Sequence, residues 1–310
     1  MCSRLKSPTE FNSLVEMMLY FRDEKTCLDY IEQWAWGGKV KCPDCKDKIH
    51  KVYRFKNGKI LKCSRCSKQF NVKTGTIFED TRLPLIKWFM AIYFISSHKK
   101  GISSHQLAKD INITQCRAYP MLQKIRKALR PAYEGKLSGI VLSDESFIGG
   151  KNKNRHLDKK VKNSQGRSFK DKVPVIGLLE KGGEIRCLVM EDTSVNSIRP
   201  MLEQHVLKKS TLVTDEWKGY EGLHRKYNHQ VVKHNRLQFL SEEGHSTNAV
   251  EGFWTHLKKS LVGIYHRVSK KHLQKYLDEM AFRWNTRHMK EGERMNLLMS
   301  KVNFNQRFYQ

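Results

Sequence analysis

The sequence predicts an α/β protein in which a strand-and-helix domain follows a cysteine-rich segment and a helical segment. Three observations carry this: two Cys-x-x-Cys pairs with 17 residues between them, an apolar then polar helical pattern over 83–133, and alternating β-runs and helices from Leu137 onward. At 310 residues the chain has room for about two or three compact units. Gly37-Gly38, Leu83-Pro84 and Gly135 interrupt the pattern and predict boundaries there, giving a helical start over 1–36 and then 37–80, 81–134 and 135–310.

Lys and Arg outnumber Asp and Glu by 58 to 31, a formal charge of +27 spread along the whole chain. Such a surplus favours a polyanionic partner, because positive charge beside a phosphate backbone releases condensed counterions. A merely basic protein bound to ribosomes has the same composition. The N-terminal MCSRLKSPTEFNSLVEMMLYF has no uninterrupted apolar stretch before a cleavage site and reads as an amphipathic helix, so no secretory signal is expected. Leu83 to Ile95 is the most apolar run, but it carries Lys87 and falls short of the roughly 20 residues a membrane-spanning helix needs. A buried helix is expected instead. Of the eight cysteines, Cys2, Cys27, Cys116 and Cys187 are scattered, which fits a reducing, intracellular compartment better than a disulfide framework.

Cys42 and Cys45 in KCPDCK, with Cys63 and Cys66 in KCSRCS, have the spacing of a zinc ribbon. Each tight turn offers two thiolates to one tetrahedral ion, and Asn57-Gly58 supplies a hairpin turn between the knuckles. A redox dithiol would need only one such pair on a βαβ unit, which this Lys-rich stretch does not supply. Four Cys ligands leave no open position for a substrate water, so this Zn²⁺ would be structural.

GISSHQLAKDINITQCRAYPMLQKIRKALR predicts a helix from Ser104 to Asp110, a turn at Ile111-Asn112-Ile113, and a second helix capped by Thr114. Ile102, Leu107, Ile111, Ile113, Ala118, Leu122 and Ile125 are the expected buried positions. This is a helix-turn-helix pattern whose second helix would offer Thr114, Gln115, Arg117 and Tyr119 to a DNA major groove. Pro120 removes a backbone donor and would kink that helix, so an ordinary helical hairpin is the competing expectation.

Beyond Leu137 the expected order is β-β-β-α-β-α-β-α. GIVLSDESFIGG is a strand running into Asp144, and VPVIGLLEKGGEIRCLVMED is a hairpin turning at Gly182-Gly183. Then come a helix near Ser197 to Leu207, a strand ending in Asp215, a helix near Trp217 to Arg225, a strand around Gln230 to Lys233, and a long helix from about Asn248. Asp144 and Asp215 at matching strand ends would lie within reach of one divalent ion. Glu251 sits on the long helix with Asn248 one turn before it and Lys258 two turns after, all on one face. Phosphodiester chemistry uses such clusters to hold two Mg²⁺ ions about 3.5–4 Å apart on carboxylate oxygens. Any one of these acids alone would more often cap a helix or neutralise a basic surface. The insert over 151–172, with Lys151, Lys153 and Arg155, is basic and polar and reads as a loop or arm that contacts DNA.

The ribbon, SDESFIGGK, TDEWKGY and above all HSTNAVEGFWTHLKKSLVGIYHRVSKKHLQKYLDEMAFRWNTR resemble the zinc-ribbon insertion-sequence transposases of the ISXO-like group, related to the Merlin transposases. The likeness covers nearly the whole chain. It implies a ribonuclease H-like, retroviral integrase-like catalytic domain with a DDE triad at Asp144, Asp215 and Glu251. It also implies Mg²⁺ (or Mn²⁺), and Lys258 as a contact to the DNA backbone. Some members are described with asparagine as the third residue, which Asn248 could supply; Glu251 is the expected ligand because a carboxylate neutralises Mg²⁺ charge and an amide does not. Around that helix, Lys258, Lys259, His266 and Arg267 are further DNA-binding candidates. The implied activity is cleavage at transposon ends and strand transfer into target DNA. The implied partner is double-stranded DNA, held by a homo-dimer or higher oligomer. The alternatives are a non-catalytic, domesticated zinc-ribbon and helix-turn-helix DNA-binding protein, and a nuclease that cuts without joining.

Overall fold

The computed structural model describes residues 11–37, 40–45, 51–55, 58, 60–131, 133–150, 152, 156–162, 171–232, 240–241 and 243–302. The chain forms two compact units, one of 1–129 with 288–310 and one of 130–287.

The first unit begins with α1 (Leu14–Tyr20) and α2 (Glu24–Trp36), each started by a side-chain cap: Ser13 Oγ accepts from Glu16 N and Asp23 Oδ1 from Thr26 N. Gly37 ends α2 in the left-handed region at φ 56°. Next is a three-stranded antiparallel sheet, β1 (Val52–Arg54), β2 (Leu61–Cys63) and β3 (Gln69–Phe70), in that order. Gly58 turns the β1–β2 hairpin at φ 66°, donating to Phe55 O; Asn57 lies outside the described residues.

The apolar run forms α3 (Leu85–Ser97), whose Leu85, Phe89, Ile92 and Ile95 are wholly buried. Among the described residues no helix is long and apolar enough to cross a membrane. α4 (Ser104–Asp110) and α5 (Gln115–Ala128) follow, with Asn112 at φ 49° making the turn. Of the expected core positions all are buried except Ile113, which is half-buried. Thr114 stands at the N-cap, but its side chain makes no cap bond. The helix runs on through Pro120, whose exposed ring forfeits one backbone bond within the helix.

The second unit is built on a five-stranded mixed sheet. Its strands are β4 (Ile140–Ile148), β5 (Val173–Glu180), β6 (Ile185–Val189), β7 (Thr211–Asp215) and β8 (Asn228–Val232), in the order β6-β5-β4-β7-β8. β5 is antiparallel to β4 and β6, and β4, β7 and β8 are parallel. Gly182, at φ 80°, turns the β5–β6 hairpin. Between β6 and β7, α6 (Val195–His205) lays Ile198 and Leu202 on one face of the sheet, against Val141, Ile176 and Leu212. The opposite face is covered by α7 (Asn248–Ser260) and α8 (Lys270–Asn285), through Val250, Phe253, Leu257, Leu273 and Leu277.

Three expectations change. The segment Trp217 to Arg225 is not an α-helix but two 3₁₀ turns, Lys218–Tyr220 and Leu223–Arg225, separated by Gly222 at φ 76°. Gly219 is packed so closely that a Cβ there would lie 2.6 Å from Ile198 Cδ1. The long C-terminal helix is two helices, since α7 ends in a π-turn, Leu261–Tyr265, and His266 takes φ 56°. Finally, α9 (Glu291–Val302) belongs to the first unit rather than continuing the 135–310 domain, because its buried Met295, Leu298 and Met299 pack with α3 and α5, and Glu291 accepts from Tyr93 Oη at 2.7 Å.

Candidate metal centres and nucleic-acid interface

The ribbon sheet brings the four cysteines together. Cys63 ends β2, Cys66 lies in the turn before β3, and Cys42 and Cys45 come from the preceding knuckle. All four Sγ atoms lie within 4.8 Å of one another, with Cys42 and Cys66 3.6 Å apart and Cys45 and Cys63 3.9 Å apart. A tetrahedral zinc with bonds of about 2.3 Å sets its sulfurs about 3.8 Å apart, so the donor set fits. Backbone N–H groups of Cys66 and Arg65 hold the Cys63 thiol down at about 7, whereas desolvation pushes Cys45 up to about 12 and raises Cys42. A shared dication would take all four as thiolates.

In the second unit, the parallel pairing of β4 with β7 runs only from Ile140 to Leu142, opposite Thr211 to Val213. Asp144 therefore lies in the middle of β4, not at its end as expected, yet just past the point where its parallel neighbour stops. Asp215 closes β7. Carboxylate oxygens of Asp144, Glu145 and Asp215 lie within 4.8 Å of one another. Asp144 Oδ1 accepts from the backbone N–H of Glu145 at 2.9 Å and Oδ2 from Trp254 Nε1 at 2.9 Å, while Asp215 Oδ1 accepts from Trp217 N at 3.0 Å. Burial and the neighbouring Asp215 raise the Asp144 carboxyl to about 6, with Glu251 adding to the effect and the Trp254 and Glu145 donors opposing it. Clustered hard oxygen donors beside such a carboxyl are the chemistry of a Mg²⁺ or Mn²⁺ site, and the residues fit that ion.

Glu251 occupies the first turn of α7, exposed, and accepts from Thr247 Oγ1 at 3.0 Å. It stands outside the tight group of three but near enough to Asp144 to raise its pKa. Asn248, the first residue of α7, is also exposed, as are Lys258 and Lys259 on the same helix. Arg267 is exposed, and His266 is held by an Nδ1 contact of 3.0 Å to Val262 O. Lys151, Lys153 and Arg155 lie outside the described residues. In the first unit, Thr114, Arg117 and Tyr119 are exposed at the start of α5, while Gln115 Nε2 donates to Ser104 Oγ at 3.0 Å and so also ties α5 to α4.

Sequence reasoning missed two participants. Glu145 follows Asp144 directly, and strand alternation points adjacent residues to opposite faces, so only its acidity signalled it. Trp254 reads as a core aromatic, and nothing local reveals its bond to a residue 110 positions earlier.

Residues 136–285 match the ISXO2-like transposase domain, and residues 22–69 match the transposase zinc-ribbon domain. The chain thus carries an ISXO2-like transposase domain behind a transposase zinc ribbon. Among relatives of this transposase chain is an uncharacterized protein in transposable element ISH50 of Halobacterium salinarum, 26% identical over 275 residues, covering 85% of this chain and 91% of that protein. Another is an uncharacterized transposase-like protein of Haemophilus influenzae, 23% identical over 108 residues, covering 34% of this chain and 85% of that one. A crystal structure of a pre-cleavage Mos1 transpososome aligns over 97% of this chain and 99% of that chain at 13% identity, with a TM-score of 0.26. That superposition is loose; the fold described above rests on the chain's own sheet order and pairing.

Proposed function

We propose that this transposase chain binds transposon-end DNA and catalyses phosphodiester cleavage and strand transfer by a DDE mechanism in a ribonuclease H-like second unit. The observation that carries the reading is the convergence of Asp144 and Asp215 from adjacent parallel strands, with Glu145 beside them and Glu251 on the helix above. Asp144, Asp215 and Glu251 would hold Mg²⁺ or Mn²⁺. When bound, the ion supplies Lewis acidity and neutralises charge that builds on the scissile phosphate.

The chain's own residues supply position. Donors from Glu145 N, Trp254 and Trp217 leave lone pairs on the Asp144 and Asp215 carboxylates for a cation. Water attacks phosphorus at the transposon end, the bond to the 3′ oxygen breaks, and the freed 3′-hydroxyl then attacks a target phosphodiester, displacing its 3′ oxygen in turn. Lys258 and Lys259, exposed on α7, would neutralise DNA phosphates nearby, as would His266, Arg267 and the basic insert with Lys151, Lys153 and Arg155. In the first unit, α4 and α5 would serve as the helix-turn-helix, with Thr114, Gln115 and Arg117 toward the groove, and the zinc ribbon would add phosphate contacts. Two ends must be held at once, so the working form is a homo-dimer or larger.

Incubating the full chain with short terminal-repeat DNA and Mg²⁺ tests the reading. Cleavage and joining are expected from the wild type and neither from Asp144→Ala. DNA binding without cleavage in the wild type would instead identify a non-catalytic DNA-binding protein, and cleavage without joining a simple nuclease.

A further inference from the structure

Trp254 lies on α7 one turn beyond Glu251, and it is 4% exposed within the core between α7 and the sheet. Its indole nevertheless does a polar job, donating Nε1–H to Asp144 Oδ2 at 2.9 Å. The path it takes is built into the strand beside it. Gly177 on β5 pairs with Asp144 in the antiparallel register. A Cβ at position 177 would stand 2.7 Å from Trp254 Cζ2 and 3.0 Å from Cη2, so the six-membered ring fills the place where any other residue would put its side chain. Gly177 has no positive φ to explain it. Its neighbours in the strand, Ile176 and Leu178, are large and buried. Room for the indole is the reason for a glycine here.

We propose that Trp254 is the positioning residue for Asp144: passing over Gly177, it fixes one carboxylate oxygen and ties the metal-site strand to the helix that carries Glu251. This rests on the catalytic reading above. A carboxylate held at one oxygen by Trp254 and at the other by Glu145 N cannot rotate about its terminal torsion, so its free lone pairs are pre-aimed. Removing the indole N–H would free that rotation and loosen the distance between β4 and α7, with no change in the number of ligands.

The test measures Mn²⁺ binding to the full chain by electron paramagnetic resonance, for wild type, Asp144→Asn, Trp254→Phe, Gly177→Ala and the Trp254→Phe/Gly177→Ala double variant, with circular dichroism on each. Trp254→Phe keeps an aromatic core residue and loses the donor, and Gly177→Ala keeps the donor and blocks its path. Each is expected to weaken Mn²⁺ binding by about 10–100-fold, the usual effect of losing a partner that orients a metal ligand. The double variant should bind no more weakly than Trp254→Phe alone, because the alanine has no indole left to displace. A merely destabilising pair would add. If folded Trp254→Phe binds Mn²⁺ within twofold of wild type while Asp144→Asn has lost it, the positioning role is overturned and the catalytic site stands. If Trp254→Phe fails to fold, Gly177→Ala decides by the same criterion. If Asp144→Asn binds Mn²⁺ as the wild type does, both fall.

Discussion

Tyr265 Oη donates to Glu279 Oε1 at 2.8 Å, joining the π-turn that ends α7 to a wholly buried carboxylate on α8. Arg283 Nη2 meets the same oxygen at 2.5 Å, one helical turn further along. The bond holds the end of the helix that bears Glu251, Trp254 and Lys258, which makes a buried charge pair part of the support for the site. Replacing Arg283 with Met leaves Glu279 charged and buried, and should cost about 3–5 kcal/mol. Tyr265→Phe should cost about 1–3 kcal/mol, because it removes one donor to a charged acceptor. Urea unfolding of the purified chain measures both.

Asp144 carries a pH signature. Its carboxyl ionises near 6 in the folded chain against 3.8 ordinarily, so between those values the folded protein holds a proton that the unfolded chain has released. Folding stability therefore declines by about 2–3 kcal/mol on account of this residue as pH rises from about 4 to about 6, and levels off above. In metal-free buffer, Asp144→Asn should abolish that slope. Mn²⁺, which needs the ionised form, should bind about tenfold more weakly for each pH unit below about 6.

Charge distinguishes the two candidates for the third ligand, Glu251 and Asn248. Glu251→Gln keeps shape and hydrogen bonding to Thr247 but removes the anion, and should slow terminal-repeat cleavage by about a hundredfold or more. Asn248→Ala should slow it by less than about tenfold. Single-turnover cleavage at saturating Mg²⁺ reads both, and the reverse ranking would assign the role to Asn248.

Zinc content follows from the thiol cluster. Elemental analysis should find about one zinc ion per chain, reduced in Cys42→Ser. Four-thiolate zinc contributes on the order of 10 kcal/mol to folding of such small sheets, so β1 to β3 should become protease-sensitive in the variant or after chelation.

Arg117 is exposed in the first turn of α5. If it reads a base, Arg117→Ala should weaken binding to terminal-repeat DNA by about 1–3 kcal/mol while sparing unrelated DNA. A uniform loss, with a salt slope smaller by about one, would make it a phosphate contact instead. Gel-shift titration at two salt concentrations separates these outcomes.

Local patterns made much of the fold legible. Ser104–Asp110 and Gln115–Ala128 were readable because capping residues and 3.6-residue periodicity are properties of the segment itself. So were the Gly182 hairpin and the knuckle spacing. The 3₁₀ turns after Asp215 were not, because the apolar spacing of Trp217, Tyr220 and Leu223 fits a helix until Gly219 and Gly222 are seen packed and turned. The place of α9 was hidden too, since Met295, Leu298 and Met299 state that a face is buried but not against which helix.

By itself the sequence determined that four thiols sit in two knuckles, that acids follow apolar β-runs, and that the charge suits a polyanion. Only tertiary structure decided how the acids group: Asp144 in mid-strand beyond the end of its parallel pairing, Glu145 beside it, and Glu251 one step outside. The physical reason is that knuckle geometry is set within a few residues of backbone, whereas a carboxylate cluster depends on strand register and on a gap at Gly177 that admits the indole of Trp254, 110 residues beyond the Asp144 it holds. Distances of a few ångströms between remote segments are packing outcomes, and packing is where one residue without a side chain counts as much as the acid opposite it.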